Sequence, residues 1–134
     1  MINFTHTMKN DTKPTGRKGE DAACLFLESK GHTIVARNYR AAHKEIDIVS
    51  VFADEIHIVE VKSRTAPVLA EPESSVDSTK QRNLAVAAGR LLHSSLAKFL
   101  PRNAEVFFDV VTVVFDSEDT HIQYYPQAYI PLYV

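Results

Sequence analysis

The chain has 134 residues, 45% of them hydrophobic, and a formal net charge of −2. That length and apolar content suit one small domain with a modest core and exclude wholesale disorder. The mild net charge argues against indiscriminate nucleic-acid binding, and no apolar run approaches the roughly 18–20 residues that span a bilayer.

Residues 1–15 are polar and contain Pro14, so they read as a flexible N-terminal tail ahead of a single domain over 16–134. The tail lacks the continuous apolar core of a secretory signal, and a cytoplasmic protein is expected. From Arg17 to Lys30, Ala22, Ala23, Phe26 and Leu27 fall on one helical face, and Gly31 supplies the stop. Glu20, in the first turn of that predicted helix, would be favoured by the helix dipole. Cys24, the single cysteine, lies in the same helical pattern and reads as a buried structural thiol.

A strand follows at Thr33–Arg40, where Arg37, Asn38 and Arg40 are candidate phosphate contacts, because guanidinium forks match phosphate oxygens. After Ala41-Ala42-His43, the segments Glu45-Ile46-Asp47-Ile48-Val49 and Ile58-Val59-Glu60-Val61-Lys62 alternate and are rich in Ile and Val. Phe52-Ala53-Asp54-Glu55 between them is short enough for a tight hairpin. If Phe52 pairs with Glu55, paired residue numbers keep a constant sum, so Asp47 faces Glu60 and Glu45 faces Lys62. Glu60 and Lys62, two apart, share a strand face.

Two opposed carboxylates repel, and a divalent cation, a shared proton or a nearby base must offset that. Asp and Glu oxygens without nearby Cys or His suit Mg²⁺ or Mn²⁺ rather than zinc. Such a site, with Asp47 and Glu60 as metal ligands, can activate water, and Lys62 is placed to orient it or neutralise developing charge. The plainer alternative is a half-exposed hairpin on which Lys62 simply satisfies the acids.

Residues 65–76 contain Pro67, Pro72 and adjacent serines and read as a surface loop. From Asp77 or Ser78 to Phe99, the residues Leu84, Ala88, Leu91, Leu92, Leu96 and Phe99 form an apolar helical stripe. Lys80 and Arg82 in its first turn run against the usual dipole preference. Val106–Phe115 and His121–Tyr125 form a terminal hairpin across Asp116–Thr120. Asp109, a lone acid in the first of these strands, reads as a strand-edge residue outside the site. Tyr124, Tyr125, Tyr129 and Tyr133 offer base-stacking, packing or homodimer surface.

The order α-β-β-β-α-β-β, with a helix between the third and fourth strands, implies a parallel crossover. An α/β domain with a mixed central sheet flanked by helices follows. Charge is uneven along it. Residues 1–44 hold eight Lys or Arg against four Asp or Glu, residues 45–76 hold two against seven, and residues 77–134 hold five against six. A basic first third beside an acidic centre suits a protein that holds phosphates with one region and cations with the other.

The Asp47…Glu60-Val61-Lys62 pattern resembles the D…(D/E)-x-K core of the restriction-endonuclease-like nuclease superfamily. A longer, more specific pattern runs through Gly16-Arg17-Lys18-Gly19-Glu20-Asp21-Ala22-Ala23, Gly31, Arg37-Asn38-Tyr39-Arg40, Glu45-Ile46-Asp47 and Val59-Glu60-Val61-Lys62-Ser63-Arg64. In that order it is similar to the YraN-like family of small bacterial proteins, grouped with Holliday-junction-resolvase-type nucleases. Two positions depart from the family pattern: Lys44 stands where a glycine is usual, and Phe107 where an arginine is.

The resemblance implies a restriction-endonuclease-like fold and a Mg²⁺- or Mn²⁺-dependent endonuclease acting on DNA, including branched DNA. It makes Glu20 a metal-site or water-orienting acid beside Asp47, Glu60 and Lys62, with Arg17, Lys18, Arg40 and Arg64 on the phosphate backbone. The competing expectation is a nucleic-acid-binding accessory module that keeps the fold with negligible catalysis.

Overall fold

The computed structural model describes residues 2–7, 15–41, 44–66 and 78–128. Its elements are β1 (Ile2–Thr7), α1 (Thr15–Ser29), β2 (Thr33–Ala41), β3 (Lys44–Phe52), β4 (Glu55–Thr65), α2 (Ser78–Leu92), a 3₁₀ turn (Ser95–Phe99), β5 (Glu105–Phe115) and β6 (Asp119–Tyr125). From α1 onward this is the α-β-β-β-α-β-β order expected from the sequence. Ile2–Thr7 forms a further strand within the stretch whose polar composition suggests a flexible tail. It pairs antiparallel with β6, from Ile2–Tyr124 to Thr7–Asp119.

The sheet order is β1-β6-β5-β4-β3-β2, and the β4–β5 pair alone is parallel. The crossover containing α2 makes that pairing sterically accessible, whereas a tight turn joins only antiparallel neighbours. Helices cover both faces. On one, Ala22, Ala23, Phe26 and Leu27 of α1 pack with Ile48, Val59, Val111 and Val113; on the other, Leu84, Ala87, Ala88 and Leu91 of α2 pack with Ile46, Val49, Ile56, Ile58 and Phe108. The fold is therefore an α/β domain with a mixed sheet flanked by helices, consistent with a nuclease-like fold.

Local chemistry sets the element ends. α1 exits through a Schellman turn, in which the His32 N–H bonds the Leu27 carbonyl and the Gly31 N–H bonds the Glu28 carbonyl, both at 3.0 Å. Gly31 sits at φ 97°, a conformation that a side chain would oppose. The apolar stripe expected to run as one helix to Phe99 is broken after Leu92. Ser94 donates to the Leu91 carbonyl and accepts the Leu96 N–H, so its hydroxyl ends one helix and caps the next turn. Leu92 and Phe99 consequently lie exposed, although periodicity placed both on the buried stripe.

α1 lies so close to β4 that only glycine fits at the crossing. A Cβ on Gly19 would stand 1.7 Å from Ser63 Oγ and 2.9 Å from Ser63 Cβ. Gly19→Ala should cost roughly 1–3 kcal/mol in urea unfolding, because overpacking must displace one element. Adding Ser63→Gly should recover much of the loss. Wild-type stability for Gly19→Ala alone would mean that α1 does not approach the strand this closely.

Candidate functional site

The hairpin forms in the expected register, and then stops. β3 and β4 pair from Phe52–Glu55 to Ile48–Val59. Beyond that point β3 stays paired with β2 down to Lys44–Ala41, while β4 follows β5 out to Thr65–Phe115. Residues 44–47 and 60–65 are therefore the two prongs of a fork. The expected facing pairs Asp47–Glu60 and Glu45–Lys62 fall beyond the end of the ladder. Glu45 instead pairs with Arg40 of β2, whose Nη1 lies 3.6 Å from Glu45 Oε2.

Pairing also lapses at Asp47 on its other flank. The β2–β3 register passes from Arg37–Ile48 to Tyr39–Ile46, and the skipped Asn38 has φ 52°. Asn is among the few residues that adopt this left-handed backbone readily. Strict alternation would put Ile46 with Ile48, yet Ile46 joins Val49 in the α2-side core and Ile48 joins the α1 side. The strand rolls at Asp47. Its carboxylate reaches across the fork, and Oδ2 accepts the Val61 N–H at 2.8 Å.

Three acids converge there. Burial pushes the Asp47 carboxyl up to about 6, the negative charges of Glu20 and Glu60 push it the same way, and the Val61 N–H and Lys44 oppose them. Glu20 arrives from α1, which starts at Thr15, so this residue lies in the second helical turn and not in the first. Dipole compensation therefore does not account for it. Its carboxylate is 3.9 Å from Arg37 Nη2, which is bonded to Asp21 Oδ1 at 2.8 Å. Arg37, read as a phosphate contact, is thus held by the acids of α1. Lys62 is half-buried on β4 and follows Glu60 by two residues, which places both on one strand face.

The four remaining basic candidates are dispersed around this centre. Arg17 is exposed and Lys18 half-buried near the start of α1, and Arg40 is exposed beside Glu45. Arg64 is half-buried, and its Nη1 donates to the Ser63 carbonyl at 2.9 Å. Lys44, which the sequence marked only as a departure from the family pattern, places Nζ 3.1 Å from Glu60 Oε1.

An oxygen-only donor set with mutually repelling carboxylates fits Mg²⁺ or Mn²⁺. Asp47 and Glu60 would hold the ion, with Glu20 nearby. Among the described residues, a tighter group of ligand-type atoms, all within 4.8 Å of one another, is Asp116, Asp119 and His121. Turn chemistry accounts for that group. Asp116 Oδ1 accepts the N–H groups of Glu118 and Asp119, and Oδ2 pairs with His121 Nε2 at 2.7 Å.

A second polar centre went unread in the sequence. Asp109 is fully buried within β5, between β4 and β6, where a strand-edge acid was expected. Its Oδ2 meets His57 Nδ1 and the Tyr124 hydroxyl, each at 2.5 Å, and its Oδ1 accepts the Gln127 N–H at 2.9 Å. Tyr124 is therefore an internal anchor, unavailable to stack on bases; Tyr129 and Tyr133 lie outside the described residues. Burial alone would lower the His57 pKa, but Asp109 and Glu55 together raise it. Its charged form stabilises the fold at acidic to neutral pH, and that contribution is lost as pH rises through the raised folded pKa. His57 and Asp109 lie on different strands that only the parallel β4–β5 pairing brings together, so the sequence carried no local signal for their contact.

These features define the class: an α/β domain of nuclease-like fold whose sheet opens over clustered acids. The chain belongs to the uncharacterised protein family UPF0102, whose model matches residues 19–113. It is 35% identical over 116 residues to a UPF0102 protein of Bacteroides thetaiotaomicron, covering 87% of this chain and 92% of that one. A Geobacter metallireducens UPF0102 protein is 36% identical over 122 residues, covering 91% and 97%. One from Koribacter versatilis is 37% identical over 118 residues, covering 87% and 79%. The YraN-like resemblance is thereby established. Among the described residues, no helix is long and apolar enough to cross a membrane.

Asp47 binds its proton more tightly folded than unfolded, so it contributes stability as pH falls from about 7 towards 4. In chelator, Asp47→Asn should flatten that limb and be more stable than wild type at pH 7, by on the order of 1 kcal/mol after allowing for partial exposure. Thermal melts across this range test it; an unchanged slope would show that Asp47 titrates normally. Asp109→Ala should cost about 3 kcal/mol or more in the same melts, since it strands a buried imidazole and phenol.

Proposed function

We propose that this protein is a divalent-metal-dependent endonuclease that hydrolyses phosphodiester bonds in DNA. The observation that carries the reading is the fork, which sets Asp47, Glu60 and Glu20 around one opening and Lys62 on the Glu60 face. Bound Mg²⁺ or Mn²⁺ would supply Lewis-acid stabilisation of the phosphate and a more acidic water. Asp47 and Glu60 hold the ion, and Glu20 completes the acidic cluster. Lys62 orients the attacking water and neutralises charge that develops on the phosphate. Arg17, Lys18, Arg40 and Arg64 hold the DNA backbone on either side.

A second reading, a nucleic-acid-binding accessory module with weak catalysis, draws support from the Lys44–Glu60 ion pair and the net charge of −2. The ion pair makes the centre less ready to receive a catalytic cation. Cleavage assays on linear, single-stranded, flap and four-way-junction DNA with Mg²⁺ or Mn²⁺ separate the two. The endonuclease cuts at least one substrate, loses cleavage in Asp47→Ala and Glu60→Ala, and slows roughly 10²-fold or more in Lys62→Ala with little change in DNA affinity. No cleavage under any metal, with DNA binding retained, would put the accessory reading first. Wild-type cleavage by Lys62→Ala would remove its catalytic role.

A further inference from the structure

The acidic opening already contains a cation of its own. Lys44 is the first residue of β3, at the tip of one prong, and its ammonium spans the fork to Glu60 on the other. The contact is 3.1 Å, and both side chains are largely sheltered, at 26% and 22% exposure. Lys44 also acts on the neighbouring acid, as its charge is among those that lower the Asp47 pKa. The pair is not a ladder contact, because Lys44 pairs in register with Ala41 and β3 no longer pairs with β4 at this level. Its role is electrostatic: it supplies positive charge beside Glu60 and Asp47, two acids whose negative charges oppose each other.

We infer that Lys44 is a tethered counter-ion that occupies the acidic opening in the metal-free protein and must release Glu60 when a divalent cation binds. The inference rests on the metal-site reading of Asp47 and Glu60 and adds to it a residue that sets the threshold for metal. The physical basis is exclusion. Glu60 offers its carboxylate to the ammonium or to the metal, and two cations close together repel. Binding therefore costs the free energy of the Lys44–Glu60 pair. Without the metal, that pair holds the prongs in place and offsets carboxylate repulsion.

The test combines metal titration with stability in chelator, using Lys44→Gln, Lys44→Arg and Glu60→Gln. In chelator, Lys44→Gln and Glu60→Gln should be non-additive in thermal melts, which reports the pair without any metal. By calorimetry, Lys44→Gln should bind Mn²⁺ roughly three- to tenfold more tightly than wild type, the range expected when a partly sheltered competing ion pair is removed. Lys44→Arg keeps the charge and should stay near wild type. Additive melts would overturn the inference, since no pair would exist. Non-additive melts with unchanged or weaker Mn²⁺ binding in Lys44→Gln would also overturn it, because the pair would not compete. If Asp47→Ala binds Mn²⁺ as wild type does, or no variant binds it at all, the metal-site reading itself fails and the inference falls with it.

Discussion

The break in backbone pairing around Asp47 is the constraint on which the rest of the site depends. A central strand normally has both edges hydrogen-bonded along its length. At this point β3 has neither neighbour in register, since Asn38 is skipped on one side and β4 has left on the other. The Val61 N–H would be left unsatisfied by that departure, and the Asp47 carboxylate accepts it. One hydrogen bond thus closes the crotch of the fork and fixes the acid in it. A continuous ladder would have satisfied the same N–H from backbone and left no opening for Glu20, Glu60 and Lys44 to share.

What holds the fork open lies on the other side of β4. Gly19 lets α1 approach to the Ser63 side chain, and this brings Glu20 to the opening from a second element. Nearer the hairpin turn, His57 is clamped between Asp109 and Glu55, and Asp109 also takes the Tyr124 hydroxyl. That buried network ties three adjacent strands, β4, β5 and β6, into one rigid unit. β4 therefore carries support on its inner residue His57 and the proposed site residues Glu60 and Lys62 further out. Strand alternation lets one segment do both.

Much of the frame was legible in the sequence, for identifiable reasons. The hairpin register followed from a short turn between two alternating segments, and five consecutive pairs obey it. The helix exit at Gly31 followed from a glycine just past an amphipathic run. Two kinds of feature escaped. Asp109 and His57 are 52 residues apart, and only the parallel register of β4 and β5 joins them; no local periodicity encodes that contact. The end of the β3–β4 ladder escaped because alternation continues through Asp47 and Glu60 in sequence, and the lapse on the other flank of Asp47 escaped because it lies at Asn38, on a third segment, where φ is positive. Lys44 was visible only as an unusual residue. Its reach to Glu60 needed the fork.

The same geometry changes the meaning of the charge pattern. A basic first third and an acidic centre suggest two separate surfaces, one for phosphate and one for cations. In the fold, three of those basic residues turn towards acids: Arg37 to Glu20 and Asp21, Arg40 to Glu45, and Lys44 to Glu60. The opening is thus partly neutralised from within, and a polyanion approaching it meets paired charges instead of a broad positive field. Long-range steering is weak under such conditions, and affinity depends on local fit and on charge supplied at the centre. A divalent ion held by Asp47 and Glu60 would free Lys44 and add positive charge at the same place. Metal binding and phosphate binding would then favour each other through the electrostatics of one small opening.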